Sequence, residues 1–71
     1  MIDTRKYPCP EPSFQARLAL RKMKDGEELT ILEDKPECIK DLKLMCLMLD
    51  HTLVSVEDSD DGTLLTVKKG L

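Results

Sequence analysis

The chain predicts an α/β two-layer sandwich: a four-stranded mixed sheet, order β-α-β-α-β-β, with two helices on one face. Three observations predict it. Two segments carry apolar side chains at the 3.6-residue spacing of half-buried helices, and each lies between short strand-like runs. An Asp61-Gly62 pair separates the last two runs, the signal of a hairpin. Strand–helix–strand crossovers are almost always right-handed, which puts both helices on the same side of the sheet. At 71 residues, the whole of 1–71 is expected to form one domain.

The first strand is read at Ile2 to Lys6, which alternates weakly. Tyr7-Pro8-Cys9-Pro10-Glu11-Pro12 then sets three prolines at alternate positions, so a stiff boundary is expected there. Ser13 to Lys24 has no Gly or Pro and is rich in helix formers, with Asp25-Gly26 as its expected stop. Ala16, Ala19, Leu20 and Met23 fill an i, i+3, i+4, i+7 template and form the expected core face. Phe14 and Leu18 fall off that face, beside a basic stripe of Arg17, Arg21 and Lys24.

Glu28 to Glu33 reads as the second strand, with Leu29 and Ile31 on one face. Asp34-Lys35-Pro36-Glu37 is a helix start, with Asp34 as the expected N-cap and a proline in the first turn. The second helix should run to about Asp50 and bury Cys38, Ile39, Leu42, Met45, Cys46 and Leu49, which share one arc. Leu44, Leu47 and Met48 point elsewhere. Thr52 to Asp58 is the third strand, with Val54 and Val56 on one face, and Thr63 to Lys68 is the fourth.

Composition excludes several classes of function. With no Trp, one Tyr and one Phe, a stacking platform for single-stranded nucleic acid is not expected. The longest apolar run, Leu44 to Leu49, is far short of the roughly 18 residues of a membrane span, and nothing reads as a signal peptide. Net charge is −3, yet residues 1–24 hold six basic and two acidic side chains. That imbalance suggests a basic face able to steer an anionic partner; the plainer reading is a solvated helix surface.

Three cysteines cannot all pair, and no C-x-x-C occurs, which argues against a disulfide-stapled secreted fold and against a zinc ribbon. Reduced thiols are therefore expected. Cys46 falls mid-helix on the core face, as does Cys38, although Cys38 lies near a helix start that would lower its pKa. Cys9 differs, standing between Pro8 and Pro10 where a strand gives way to a helix. Pro10 should hold it extended, just outside the first turn. The unpaired N–H groups of Glu11 and Ser13 and the helix dipole would then favour the thiolate, the nucleophilic form. Arg5, Lys6 and Arg17 add positive potential. The only histidine, His51, is more simply a helix C-terminal cap than a partner of Cys9. No metal site is expected, since Cys46 and His51 alone do not make one.

The run Asp3-Thr4-Arg5-Lys6-Tyr7-Pro8-Cys9-Pro10-Glu11-Pro12 resembles the D-x-R-G-x-x-C-P-x-P signature of the TusA/SirA/YedF family of small sulfur carriers. The likeness extends through Arg17, Arg21, Asp34-x-Pro36, Asp41, Cys46 and His51-x-Leu53 to the closing hairpin. It implies the sandwich of the C-terminal domain of translation initiation factor three. It implies persulfide carriage on Cys9, with Pro10, Glu11, Pro12, Asp3 and Arg5 as motif and positioning residues. Lys6 stands where the family has glycine; if that position needed positive φ, lysine would cost about 1 kcal/mol.

The expected function is a sulfurtransferase-like carrier that relays sulfur, without a cofactor, from a donor such as a cysteine desulfurase to an acceptor protein. Phe14, Arg17, Leu18 and Arg21 are the expected docking residues. The chain is expected to be a cytoplasmic monomer without membrane association, meeting tRNA indirectly or weakly on the way to tRNA thiolation. The competing expectation is a non-catalytic interaction or regulatory module that uses the exposed apolar surface of the second helix.

Overall fold

The computed structural model describes residues 1–71. Its elements follow the expected order: β1 (Ile2–Asp3), α1 (Glu11–Arg21), β2 (Glu28–Glu33), α2 (Pro36–Met48), β3 (Thr52–Ser59) and β4 (Gly62–Lys68). The sheet order is β1-β2-β4-β3. β1 runs parallel to β2, and β4 lies antiparallel between β2 and β3, so the sheet is mixed.

Period-two alternation decides which sheet residues meet the helices. Leu29 and Ile31 of β2 pair across with Val67 and Leu65 of β4, and all four are buried on one face. Ala16 and Leu20 of α1, with Leu42, Met45 and Cys46 of α2, complete that core from the other side. Ile2, Ala19, Met23, Ile39 and Leu53 pack around it. Both helices thus cover one sheet face. No helix is long and apolar enough to cross a membrane.

Element ends differ from expectation where tertiary contacts intervene. α1 begins at Glu11, with Pro10 at the cap position, and closes at Arg21 rather than Lys24. Its last turn tightens through Lys22 N–H to Ala19 and Met23 N–H to Leu20, and the Lys69 ammonium donates to the Met23 carbonyl at 2.5 Å. The same ammonium also donates to the carbonyl of Arg21, the last residue of α1, at 3.4 Å, so a cation from the far end of the chain lies at the helix C-terminus. Gly26, at φ 91, serves the turn into β2 instead.

At α2 the N-cap is Lys35, not Asp34, and no side chain caps it. Pro36 forces the residue before it out of the helical region, and Lys35 accordingly has ψ 121. α2 ends in a Schellman motif: His51 N–H donates to Cys46 O at 2.9 Å and Asp50 N–H to Leu47 O, with Asp50 left-handed at φ 59. This turn lifts Leu49 off the core, leaving it 42% exposed rather than buried as its helical position suggested. A bulge between Leu53 and Ser55 leaves Val54 without a cross-strand partner, so Leu53 packs inward while Val54 and Val56 stay exposed.

Candidate functional site

Cys9 is exposed in the loop that leads from β1 into α1. Pro8 to Glu11 form a turn closed by Glu11 N–H donating to Pro8 O at 2.9 Å, and the Cys9–Pro10 peptide bond is cis. The Glu11 N–H is therefore spent on Pro8 and does not face the sulfur, contrary to expectation. The Glu11 carboxylate turns along the helix and accepts from Gln15 Nε2 at 2.7 Å. Pro12 is buried in the first turn, where its missing N–H leaves nothing unsatisfied. Pro8, Cys9, Pro10, Glu11 and Phe14 line a shallow hollow at the surface.

The thiol expectation needs correction: Cys9 is joined to Cys38 in a disulfide, with their Cα atoms 5.5 Å apart. Cys38 is not a residue of the main core. It sits in the first turn of α2, 1% exposed, directly beneath Cys9, whereas Cys46 is the free and buried member of the core. Burial pushes the Cys46 thiol up from its ordinary pKa. A Glu37 carboxylate oxygen and the two bonded sulfurs all lie within 4.8 Å of one another. Sequence spacing could not reveal the pair, because the partners stand 29 positions apart with all of α1 and β2 between them. Only the parallel pairing of β1 with β2 brings the starts of α1 and α2 side by side.

The segment before Cys9 is held by a polar cluster built on Glu33. This carboxylate is fully buried at the end of β2 and accepts from Thr4 Oγ1 at 2.8 Å, the N–H groups of Asp34 and Lys35, and Lys35 Nζ at 3.0 Å. Burial works to raise the Glu33 pKa, and the hydrogen bonds from Lys35, Thr4 and Asp34 outweigh it, so the net shift is downward. Lys35 Nζ also donates to the Arg5 carbonyl, and Thr4 N–H to Leu32 O at 2.9 Å. Sequence reasoning missed Thr4, Glu33 and Lys35. Thr4 lies inside the recognised motif, but nothing local marks Glu33 as buried.

Asp3 and Arg5 form a two-point ion pair, Nε to Oδ1 at 2.9 Å and Nη2 to Oδ2 at 2.8 Å. The Arg5 hydrogen bonds hold Asp3 down at about 2. Arg5 is thus neutralised by Asp3 and ties the loop to the Asp61 carbonyl at 3.3 Å; it is a brace rather than a source of free positive potential. Lys6 has no positive φ, so this backbone does not need the family's glycine, and its ammonium lies 5.6 Å from the Tyr7 ring centroid.

The expected docking residues divide. Phe14 and Leu18 are 52% and 37% exposed, off the core as expected. Phe14 and Arg17 line a groove of about 370 Å³ between the helices, with Leu44, Met48 and Leu49 on its α2 wall, and Phe14 also borders the hollow at Cys9. Ser13 bridges the two helices beneath this groove by donating to Asp41 Oδ2 at 2.6 Å. Leu18 opens instead onto a depression with Asp3, Thr4 and Tyr7, and Arg21 onto one with His51 and Lys69. His51 does not line the hollow at Cys9. Its Nδ1 accepts from Gly70 N–H at 3.0 Å, so the ring fastens the C-terminal strand end rather than capping α2.

Two comparisons bear on this arrangement. The family model described as sulfurtransferase TusA matches residues 1–69. The crystal structure of a SirA-like protein from Desulfitobacterium hafniense superposes with a TM-score of 0.83 at 25% identity, covering 100% of both chains. An exposed cysteine in a Cys-Pro-Glu-Pro turn at the head of α1, on this sandwich and under this match, has one consequence for identity: the chain belongs to the TusA sulfurtransferase family.

Proposed function

We propose that Cys9 carries the sulfur. The thiolate of Cys9 attacks the outer sulfur of a donor persulfide, the donor thiolate leaves, and Cys9 holds the transferred atom as a persulfide. An acceptor thiol then attacks that outer sulfur and the Cys9 thiolate leaves. The single observation that carries this reading is the exposure of Cys9 in the Cys-Pro-Glu-Pro turn at the head of α1. Asp3, Arg5, Pro10, Glu11 and Pro12 set the loop and the turn that present it. The disulfide with Cys38 must be opened by a reductant before loading, which fits the reducing cytoplasm.

The partners of this reading are a cysteine desulfurase-like donor and an acceptor protein, with residues 1–71 acting as one monomeric carrier domain. Phe14, which borders the hollow at Cys9, and Arg17, which shares the interhelical groove with it, form the docking face, with Leu18 and Arg21 at its margins. Where the acceptor serves tRNA thiolation, tRNA contact passes through it. The test is intact mass after incubating the reduced chain with a desulfurase and cysteine. Wild type should gain about 32 Da, one sulfur, and Cys9→Ser nothing. Equal gain by both would remove Cys9 from the role. A second reading, a pure interaction module, rests on Leu44, Leu47 and Met48, which are 51–74% exposed on α2; it predicts no mass gain at all.

A further inference from the structure

We propose that Cys38 is a resolving thiol that discharges the Cys9 persulfide as hydrosulfide. The inference rests on the reading of Cys9 as sulfur carrier and adds a second outcome for the carried atom. Three observations carry it. Cys38 bonds directly to Cys9 Sγ, so in this geometry its attack falls on the inner sulfur of a persulfide rather than on the outer one. Cys38 is 1% exposed while Cys9 is exposed, so Cys9 is the partner within its reach and external thiols are kept from it. It lies in the first turn of α2, outside the apolar cluster that encloses the free thiol of Cys46, so Cys9 alone of the other two cysteines meets it.

The step balances without any outside oxidant. The Cys38 thiolate forms a bond to Cys9 Sγ, and the bond from Cys9 Sγ to the outer sulfur breaks. The outer sulfur departs with that electron pair and takes up the proton lost by Cys38. It leaves reduced, and the two cysteines remain oxidised as the observed disulfide. The Glu37 carboxylate, within 4.8 Å of both sulfurs, is placed to pass that proton. A dithiol reductant then reopens the pair by exchange, becoming a disulfide itself. A loaded carrier that meets an acceptor thiol passes its sulfur on; one that does not releases sulfide and closes.

The test follows the persulfide in time. Reduced protein, freed of reductant under argon, is charged with inorganic polysulfide and sampled for intact mass and free sulfide. Wild type should pass from a gain of about 32 Da to a loss of about 2 Da, releasing one sulfide per chain. Cys38→Ser should keep its added sulfur on the order of 10²-fold longer, because a fixed neighbouring thiol acts at a high effective concentration. Since serine buries a hydroxyl where the thiol lay, Cys38→Ala serves as the second variant and should behave alike. Cys46→Ser should match wild type. Equal persulfide lifetimes in wild type and both Cys38 variants would overturn this inference and leave the carrier reading standing. If no variant gains sulfur although Cys9 alkylates freely, both readings fall together.

Discussion

Phe14 offers the most direct measurement of the docking face. A phenylalanine side chain presents about 150–250 Å² to cover, and Phe14 is 52% exposed, which leaves about 100 Å² for a partner. At about 25 cal/mol/Å² complete coverage is worth about 2.5 kcal/mol, and serine's own contacts with imperfect coverage reduce this to about 1–2 kcal/mol. Phe14→Ser should therefore weaken binding to the desulfurase-like donor by roughly 5- to 30-fold. The buried half of the ring, about 90 Å², stabilises the fold by about 2 kcal/mol at the same coefficient, so the melting temperature should fall by roughly 8–16 °C. That loss leaves a chain of ordinary stability folded at 25 °C, so unfolding cannot account for the lost affinity. Arg17→Glu, exposed on the same groove, should leave the melt nearly unchanged, weaken association and flatten its dependence on salt. Calorimetric titration at 25 °C, with melts of both variants, checks this. A Phe14→Ser chain that melts lower yet binds the donor as wild type does would refute the docking assignment.

Three further outcomes follow from the site and the packing around it. Without reductant, native alkylation should label almost nothing, since Cys46 is the only free thiol and is buried; after reduction, peptide mapping should find Cys9 labelled first and Cys46 last. Asp3 and Glu33 both have pKa values below their ordinary ones in the fold, so each adds stability that is complete above the unfolded carboxylate range, near 4, and lost as pH falls through the folded value. Acid melts should show that decline for wild type and a shallower one for Asp3→Asn or Glu33→Gln; parallel curves would mean these groups do not carry the acid limb. Ser13→Ala removes the one hydroxyl that donates to Asp41 between the helices, and denaturant titration should show a loss of about 1–2 kcal/mol.

Periodicity and breakers determined a large part of this molecule before any coordinate. The stripe Ala16, Ala19, Leu20, Met23 and the arc around Leu42 are core because burying apolar area is the chief gain open to so short a chain, and only those spacings line one helix face. The same local physics placed Cys9 at a strand–helix junction, since proline's missing N–H admits it to a first turn and bars it from a strand interior. What tertiary structure alone decided is everything that joins residues far apart in the chain. Lys69 reaches back to the carbonyls of Arg21 and Met23 at the end of α1, Glu33 gathers Thr4 and Lys35 beneath the loop, and a Schellman turn carries Leu49 out of its arc. Above all, Cys38 looks in sequence like another core-facing thiol, set apart from Cys46 only by its place near a helix start. Its burial class is indeed the same, but the parallel β1–β2 pairing sets the start of α2 under the start of α1, and so one buried thiol meets the exposed one while the other does not. Helical spacing reports which face a side chain takes; it carries no information about which distant residue waits on that face.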